Sequence, residues 1–318
     1  MNTDVLIIGG GPAGLSAAIW CKRLNIPHIL LERKPRLGGQ LHAIHNPIVD
    51  YPGLEAANGA ELAERFVAHL RDIRAVVRLN AEVEKLDPDS RTAWVRETGE
   101  GRDGPVSPIG FRAVILATGA RDRRLNVPGE AEMRSRGEIY SATRDAGRLS
   151  GKRVAVVGGG DRAFEGAWLL AEAGAQVLLL HRSKRFRARA ELIEIVTAHP
   201  RIEIRTNAVV TRIEGERKTE TIVIRDQNGQ DVREPVEAVL VRIGVEADSD
   251  LLRPYVRTGA DGRIVTDATG LTSRSGCYAI GDVSTEPVYS SIVSSAGQGM
   301  AAVKHILYHS GLYRPPGP

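Results

Sequence analysis

Two stretches of this chain repeat one pattern. Asp4-Val5-Leu6-Ile7-Ile8-Gly9-Gly10-Gly11-Pro12-Ala13-Gly14 runs an apolar strand directly into spaced glycines and an Ala/Leu-rich helical pattern. Val154-Ala155-Val156-Val157-Gly158-Gly159-Gly160-Asp161-Arg162-Ala163 does so again. Strand, glycine turn and helix in that order specify an open, mostly parallel sheet, and the glycine spacing is that of a dinucleotide-binding loop. The first glycine permits the turn, the second lets backbone approach a pyrophosphate, and the third allows close helix–strand packing. The helix N-terminus then faces the anionic phosphates. In the second copy the third position is Ala163, the smallest alternative. An internal repeat of this kind implies two nucleotide-binding domains.

The strands that follow the two helices end in opposite charges. His28-Ile29-Leu30-Leu31-Glu32 closes on a carboxylate suited to a pair of ribose hydroxyls. Its counterpart, 176–180, runs into His181-Arg182-Ser183-Lys184-Arg185-Phe186-Arg187. A carboxylate there would repel a 2′-phosphate, whereas guanidinium groups bind it, which selects NADPH over NADH at the second site. One such charge-assisted contact is worth about 1.5–3 kcal/mol.

With 318 residues the chain has room for two domains with a core each, and 26% charged against 42% hydrophobic residues is the balance of a globular protein. No apolar run is long enough to cross a membrane, and the first strand starts too early to leave a signal peptide, so a cytoplasmic enzyme is expected. The net charge of +4 does not indicate nucleic-acid binding. Cys21 and Cys277 are the only cysteines and share no metal-ligand or Cys-x-x-Cys spacing, so both read as packing residues.

Between the repeats, Gly38-Gly39-Gln40-Leu41 suits backbone lying against a flat ligand. Leu62, Phe66, Val67 and Leu70 form the buried stripe of a helix over 59–74. Short strands are expected at 76–79, 81–86, 91–96 and 111–117, with turns at 87–90 and 99–108. Ala117-Thr118-Gly119-Ala120 marks a crossing between domains. The second half repeats the layout with strands at 202–204, 208–213, 221–225 and 238–243. Near the end, a short apolar strand reaches Gly281-Asp282, placing one carboxylate where a hydroxylated chain can be held. A last helix opening at Ala296-Gly297-Gln298 would aim its first amides at an electron-rich ring oxygen, and the tail 308–318 is expected to fray.

Taken jointly, these motifs resemble one family, the low-molecular-weight thioredoxin reductases and their ferredoxin–NADP reductase relatives. The resemblance implies an α/β fold of two Rossmann-like domains with three-layer ββα architecture, the second inserted into the first: an FAD domain at 1–117 and 246–318 and an NADPH domain at 118–245. It implies a hydride passed from nicotinamide to flavin. It places FAD on Gly9, Gly11, Pro12, Ala13, Gly14, Glu32, Gly39, Gln40, Leu41, Thr118, Gly119, Gly281 and Asp282. NADPH falls to Gly158, Gly160, Asp161, Ala163, His181, Arg182 and Arg187. The family is commonly homodimeric.

The chain departs from the family where its chemistry matters most. Thioredoxin reductases carry Cys-Ala-Thr-Cys-Asp before the second fingerprint; this chain has Tyr140-Ser141-Ala142-Thr143-Arg144-Asp145. Serine and arginine neither form nor relay a disulfide. Asp145, a proton donor in the disulfide enzymes, and Arg144, a fixed positive charge, are the candidate catalytic residues. Tyr289-Ser290-Ser291 replaces an Arg-Gln pair of the family, and smaller side chains there are expected to open the flavin to an acceptor. The expected activity is an NADPH-dependent FAD oxidoreductase that delivers electrons to a non-disulfide acceptor such as a ferric chelate, free flavin or quinone. A ferredoxin or flavodoxin partner is the alternative, and a non-catalytic flavin-binding sensor or interaction protein is the alternative of another class. His42 and His45 read as packed or solvated rather than as metal ligands.

Overall fold

In the computed structural model, which describes residues 1–99 and 102–309, the chain divides into two compact units, Met1–Arg121 with Glu246–Pro318, and Asp122–Val245. The first crossing thus falls just after the 117/118 boundary expected from sequence. The first unit begins β1 (Asn2–Ile8), α1 (Pro12–Arg23), β2 (His28–Leu31), α2 (Gly59–Asp72) and β3 (Val77–Arg78). It continues with β4 (Ala81–Asp87), β5 (Thr92–Gly99) and β6 (Arg102–Leu116), and β7 (Ala120–Asp122) leads out of it. The second unit holds α3 (Glu130–Ser135), α4 (Ala142–Leu149), β8 (Arg153–Val157), α5 (Asp161–Glu172), β9 (Gln176–His181) and α6 (Ala190–Ala198). It is completed by β10 (Ile202–Thr206), β11 (Val209–Glu214), β12 (Thr221–Arg225), β13 (Asp231–Pro235) and β14 (Ala238–Val241). The chain returns through β15 (Val245–Ala247) to β16 (Cys277–Ala279) and α7 (Ile292–His309).

Each unit is layered in the same way because its first strand is apolar on both faces. In β1, Val5 and Ile7 point into a core with α1 and α7, while Leu6 and Ile8 point into a core with β4 and β5. In β8, Val154 and Val156 pack against α4 and α5, and Ala155 and Val157 against the β11–β13 side. A parallel sheet covered by helices on one face and an antiparallel meander on the other is the three-layer ββα arrangement expected. The first unit's sheet runs β3-β2-β1-β6-β5-β4, with β16 also pairing β6; the second unit's parallel sheet runs β10-β9-β8-β14.

The turn expected at 99–108 is corrected. Residues 100–101 lie outside the described residues, but from Arg102 the backbone is already β6, whose Val106, Ser107 and Pro108 face Arg96, Val95 and Trp94 of β5. Gly104, within that range, serves a bulge: the β5–β6 register shifts between Arg96 and Thr98, and a Cβ on Gly104 would collide with the Glu97 carbonyl. One long strand therefore belongs to the meander over its first half and to the parallel sheet over its second, where β1 and β16 flank it. Helix α2 starts on a capping box, in which Asn58 Oδ1 accepts from the Glu61 N–H and Glu61 Oε2 accepts from the Ala57 N–H. Strand β13 and helix α6 are not foreshadowed by the sequence pattern. The tail beyond His309, expected to fray, lies outside the described residues.

Candidate functional site

The first fingerprint loop separates glycines the chain needs for itself from one it does not. Gly9 has φ +109° and its N–H donates to Leu31 O at 2.9 Å. A Cβ on Gly9 would strike the Ala117 carbonyl, and one on Gly14 would strike the Gly9 carbonyl. A Cβ on Gly11 would meet nothing within 4 Å. Gly9 and Gly14 are therefore demanded by the turn and by the α1–β1 approach, whereas the space beside Gly11 is left open, as a backbone-hugging ligand requires. Gly39 backs onto this loop, since its Cβ would come to 2.9 Å from Gly11 Cα. Pro12 and Ala13 open the 12-residue α1, and Pro12 removes an N–H that would have no partner in the first turn.

Glu32 is buried at the end of β2, where Oε2 accepts from the Gly10 N–H and Oε1 from the Lys34 N–H, both at 2.8 Å. Each oxygen keeps acceptor capacity for a further donor, so the carboxylate is fixed in place without being saturated. Gln40 and Asp282, far apart in sequence, meet: Gln40 Nε2 donates to Asp282 Oδ2 at 2.9 Å, and Ser290 Oγ donates to Asp282 Oδ1. The Gly281 N–H donates to Gln298 Oε1 at 2.6 Å, and Gln298 Nε2 donates to Thr285 Oγ1. Leu41 packs away from the loop, buried in a small cluster with Ile48 and Leu62. Thr118 Oγ1 donates to Asp248 O at 2.6 Å, and Gly119 takes φ +73° with its carbonyl accepting from the Asp248 N–H. Asp248 is not singled out by the sequence; it also pairs with Arg33 and Arg121 and holds the returning chain against 118–119.

The expected start of the last helix is corrected. Helix α7 begins at Ile292, where Ser291 Oγ accepts from the Ser294 N–H and Ser294 Oγ from the Ser291 N–H. The serines of Tyr289-Ser290-Ser291 are thus a cap and an Asp282 partner, Tyr289 is 71% exposed, and the helix's first amides lie at 292–293 rather than at 296–298. His42 Nε2 bonds with Leu37 O at 2.7 Å, and among the described residues no group of three or more His, Cys, Asp or Glu is arranged to hold a metal.

The second loop repeats the logic of the first. A Cβ on Gly158 would strike the Arg242 carbonyl, while one on Gly160 would meet nothing within 4 Å. Ala163 is fully buried, and its Cβ already lies 2.9 Å from the position of a Cβ on Gly158. Asp161 is engaged by the chain, with Oδ1 accepting from the Arg189 N–H at 2.8 Å and Oδ2 paired with Arg189 Nε at 3.1 Å. His181 is likewise a packing residue: its ring fills the space a Cβ on Gly159 would need, and Nε2 bonds with Arg185 O at 3.0 Å. These bonds shape the basic loop, and Phe186 anchors it against Phe164 with ring centroids 4.9 Å apart. The Arg187 N–H donates to Gly159 O at 2.7 Å, returning the loop to the fingerprint. The side chains of Arg182, Lys184, Arg185 and Arg187 are exposed and make no ion pair among the described residues.

The segment 140–145 has become a helix start. The Ser141 N–H donates to Asp145 Oδ2 at 2.8 Å, and Arg144 Nη2 donates to the same carboxylate at 2.8 Å and to Ile139 O at 2.7 Å. Burial pushes the Asp145 carboxyl upward, but the Arg144 guanidinium, the Ser141 N–H and the charge of Arg148 outweigh it and hold the group below the ordinary carboxylate range. In the fold, Asp145 is engaged as an acceptor that clamps the start of α4. Cys21 lies in the core between the first unit's sheet and α1, Cys277 in the core on the opposite face, and burial raises the thiol pKa of both.

The family model described as pyridine nucleotide-disulphide oxidoreductase matches residues 3–301. One of the alkyl hydroperoxide reductase proteins of Pseudomonas aeruginosa is 34% identical over 304 residues, covering 94% of this chain and 56% of that protein, so the chain spans a little over half of that relative. Thioredoxin reductase of Mycolicibacterium smegmatis is 34% identical over 94% of both chains. Ferredoxin–NADP reductase of Thermus thermophilus is 31% identical over 96% of this chain and 92% of its own. The crystal structure of Lactococcus lactis thioredoxin reductase superimposes with a TM-score of 0.76 at 27% identity, covering 98% of this chain and all of that one. The chain therefore belongs to the pyridine nucleotide-disulphide oxidoreductases, a family whose thioredoxin reductase and ferredoxin–NADP reductase relatives of this chain use FAD and NADPH.

Proposed function

We propose that this protein is an NADPH-dependent FAD oxidoreductase whose electrons leave for an acceptor other than a protein disulfide of its own. The observation that carries the proposal is the placement of its two cysteines: Cys21 and Cys277 sit in separate cores on opposite faces of one sheet, both buried, so no dithiol couple is available. The open space at Gly11, the fixed carboxylate of Glu32 and the Gln40–Asp282 pair fit FAD in the first unit. In the second unit, the open space at Gly160 and the exposed Arg182 and Arg187 fit a nucleotide with a 2′-phosphate. When bound, FAD supplies two-electron uptake from a pyridine nucleotide and release of electrons singly or together. The chain's task is orientation: Glu32 and Asp282 accept from hydroxyls, and the glycine loops bring N–H groups to phosphates.

Acceptors that need only access to the reduced ring, such as ferric chelates, free flavins and quinones, suit a chain without a dithiol relay. A ferredoxin or flavodoxin is the second reading, favoured by the 31% identity to a ferredoxin–NADP reductase. NADPH added without oxygen to the FAD-loaded protein is expected to bleach the flavin absorbance. Ferric citrate, a quinone or free flavin should then restore it, and oxidised thioredoxin should not. An unbleached flavin would overturn the enzymatic reading, and rapid reoxidation by thioredoxin would overturn the acceptor class.

A further inference from the structure

Arg242 stands one residue beyond β14, and its place in the second unit is unusual for a cation. Its N–H donates to Val157 O at 2.7 Å, extending the β14–β8 pairing to the lip of the fingerprint loop, and its carbonyl abuts Gly158. The guanidinium is half-buried. Nη1 donates to Val241 O at 2.9 Å and Nη2 to Tyr140 O at 3.0 Å, and no carboxylate lies within ion-pair distance among the described residues. The neighbouring acid, Asp122, is engaged at 3.2 Å by Arg162 from the first turn of α5. The carboxylate of Asp122 is thus taken by Arg162 at the N-terminus of the 12-residue α5. Burial, and then the charge of Arg162, lower the Arg242 pKa from its ordinary value.

A half-buried cation with unused donors and no carboxylate is costly to keep unless an anion completes its surroundings. Sheet order indicates which anion. In β10-β9-β8-β14, the basic loop follows β9 and Arg242 follows β14, so they emerge on opposite sides of Gly158–Gly160. A dinucleotide laid across this point with its 2′-phosphate on Arg182 and Arg187 carries its pyrophosphate over the glycines, toward Arg242. Arginine suits such a contact because its planar fork meets two phosphate oxygens at once.

We infer that Arg242 is a second, independent anion contact of the nucleotide site, holding the pyrophosphate that NADPH and NADH share, while Arg182 and Arg187 read the 2′-phosphate. This rests on the proposal that the second unit binds NADPH, and the test keeps the two apart. Binding of NADP⁺, NAD⁺ and 2′-AMP to the FAD-loaded full chain is measured by calorimetry, since 2′-AMP has the 2′-phosphate but no pyrophosphate. Arg242→Gln should weaken NADP⁺ and NAD⁺ by about ten- to a hundredfold and leave 2′-AMP within about twofold. Arg182→Ala should weaken NADP⁺ and 2′-AMP and spare NAD⁺. Arg242→Met, which keeps the aliphatic stem, should match Arg242→Gln and gives the same readout if the glutamine variant fails to fold. Wild-type NADP⁺ affinity in both Arg242 variants would overturn the inference, as would an equal loss of 2′-AMP, which would make Arg242 a general prop of the fold. A wild-type protein that binds neither NADP⁺ nor 2′-AMP would overturn the nucleotide proposal itself.

Discussion

Gly11→Ala separates folding from ligand binding at a single atom. Gly11 is the N-cap of α1 with φ −80° and ψ −179°, a conformation alanine adopts freely, and the added Cβ meets no atom of the chain within 4 Å. With the backbone unstrained, alanine restricts the unfolded chain, so the apoprotein should be unchanged or stabilised by up to about 1 kcal/mol. The same methyl occupies the volume left for a pyrophosphate, and FAD affinity should fall at least about tenfold, roughly 1.4 kcal/mol or more. Gly14→Ala is the counter-test: its Cβ collides with the Gly9 carbonyl, a backbone atom that cannot swing aside, so overpacking should cost the apoprotein about 1–3 kcal/mol. The assay is thermal unfolding of the FAD-stripped protein together with fluorescence titration of FAD. If Gly11→Ala bound FAD as tightly as wild type, or lost stability as Gly14→Ala does, the separation of structural from ligand-facing glycines would be refuted.

Arg182→Ala and Arg187→Ala should each raise the KM for NADPH about ten- to a hundredfold with little change for NADH, and steady-state kinetics with both nucleotides checks this. Asp145→Asn removes a carboxylate acceptor for Ser141 and Arg144 and should destabilise α4 by about 1–3 kcal/mol, yet leave the shape of the pH–rate profile unchanged; a lost basic or acidic limb would place Asp145 in the chemistry. His28 is buried, its Nδ1 bonded to Ile26 O and its Nε2 without a partner among the described residues, and burial lowers its pKa in the folded state. The unfolded chain therefore binds the proton more readily, so stability holds above about pH 6.5 and declines as the pH falls below it. His28→Gln should flatten that decline in denaturant melts at graded pH.

The nucleotide loops are legible in the sequence because their demands are local. A turn with positive φ, a close helix–strand approach and an open backbone can each be met only by glycine or alanine at fixed spacing, so Gly9, Gly14, Gly158 and Ala163 announce themselves. The run of Val5, Leu6, Ile7 and Ile8 likewise implies a strand buried on both faces. The long β6 is hidden because Gly104 serves a bulge, and a bulge glycine has the same letter as a turn glycine. The start of α7 is displaced from its expected position because its cap is a reciprocal pair of serines rather than a change in apolar pattern.

What the order of residues alone carries here is two nucleotide folds, opposite charges after their second strands, and a chain with no dithiol at the expected place. Which of those residues are spent on the chain itself emerges only on folding. Asp161 fastens the basic loop, His181 fills the space beside Gly159, and Asp145 clamps α4, each because a backbone donor takes a carboxylate as its acceptor or a packed glycine takes a ring as its neighbour. Arg242 shows the converse. In sequence it is one more cation after a strand, and its meaning comes from strands that pair across long separations and bring its backbone to the lip of the fingerprint loop, with no carboxylate at ion-pair distance from its guanidinium among the described residues.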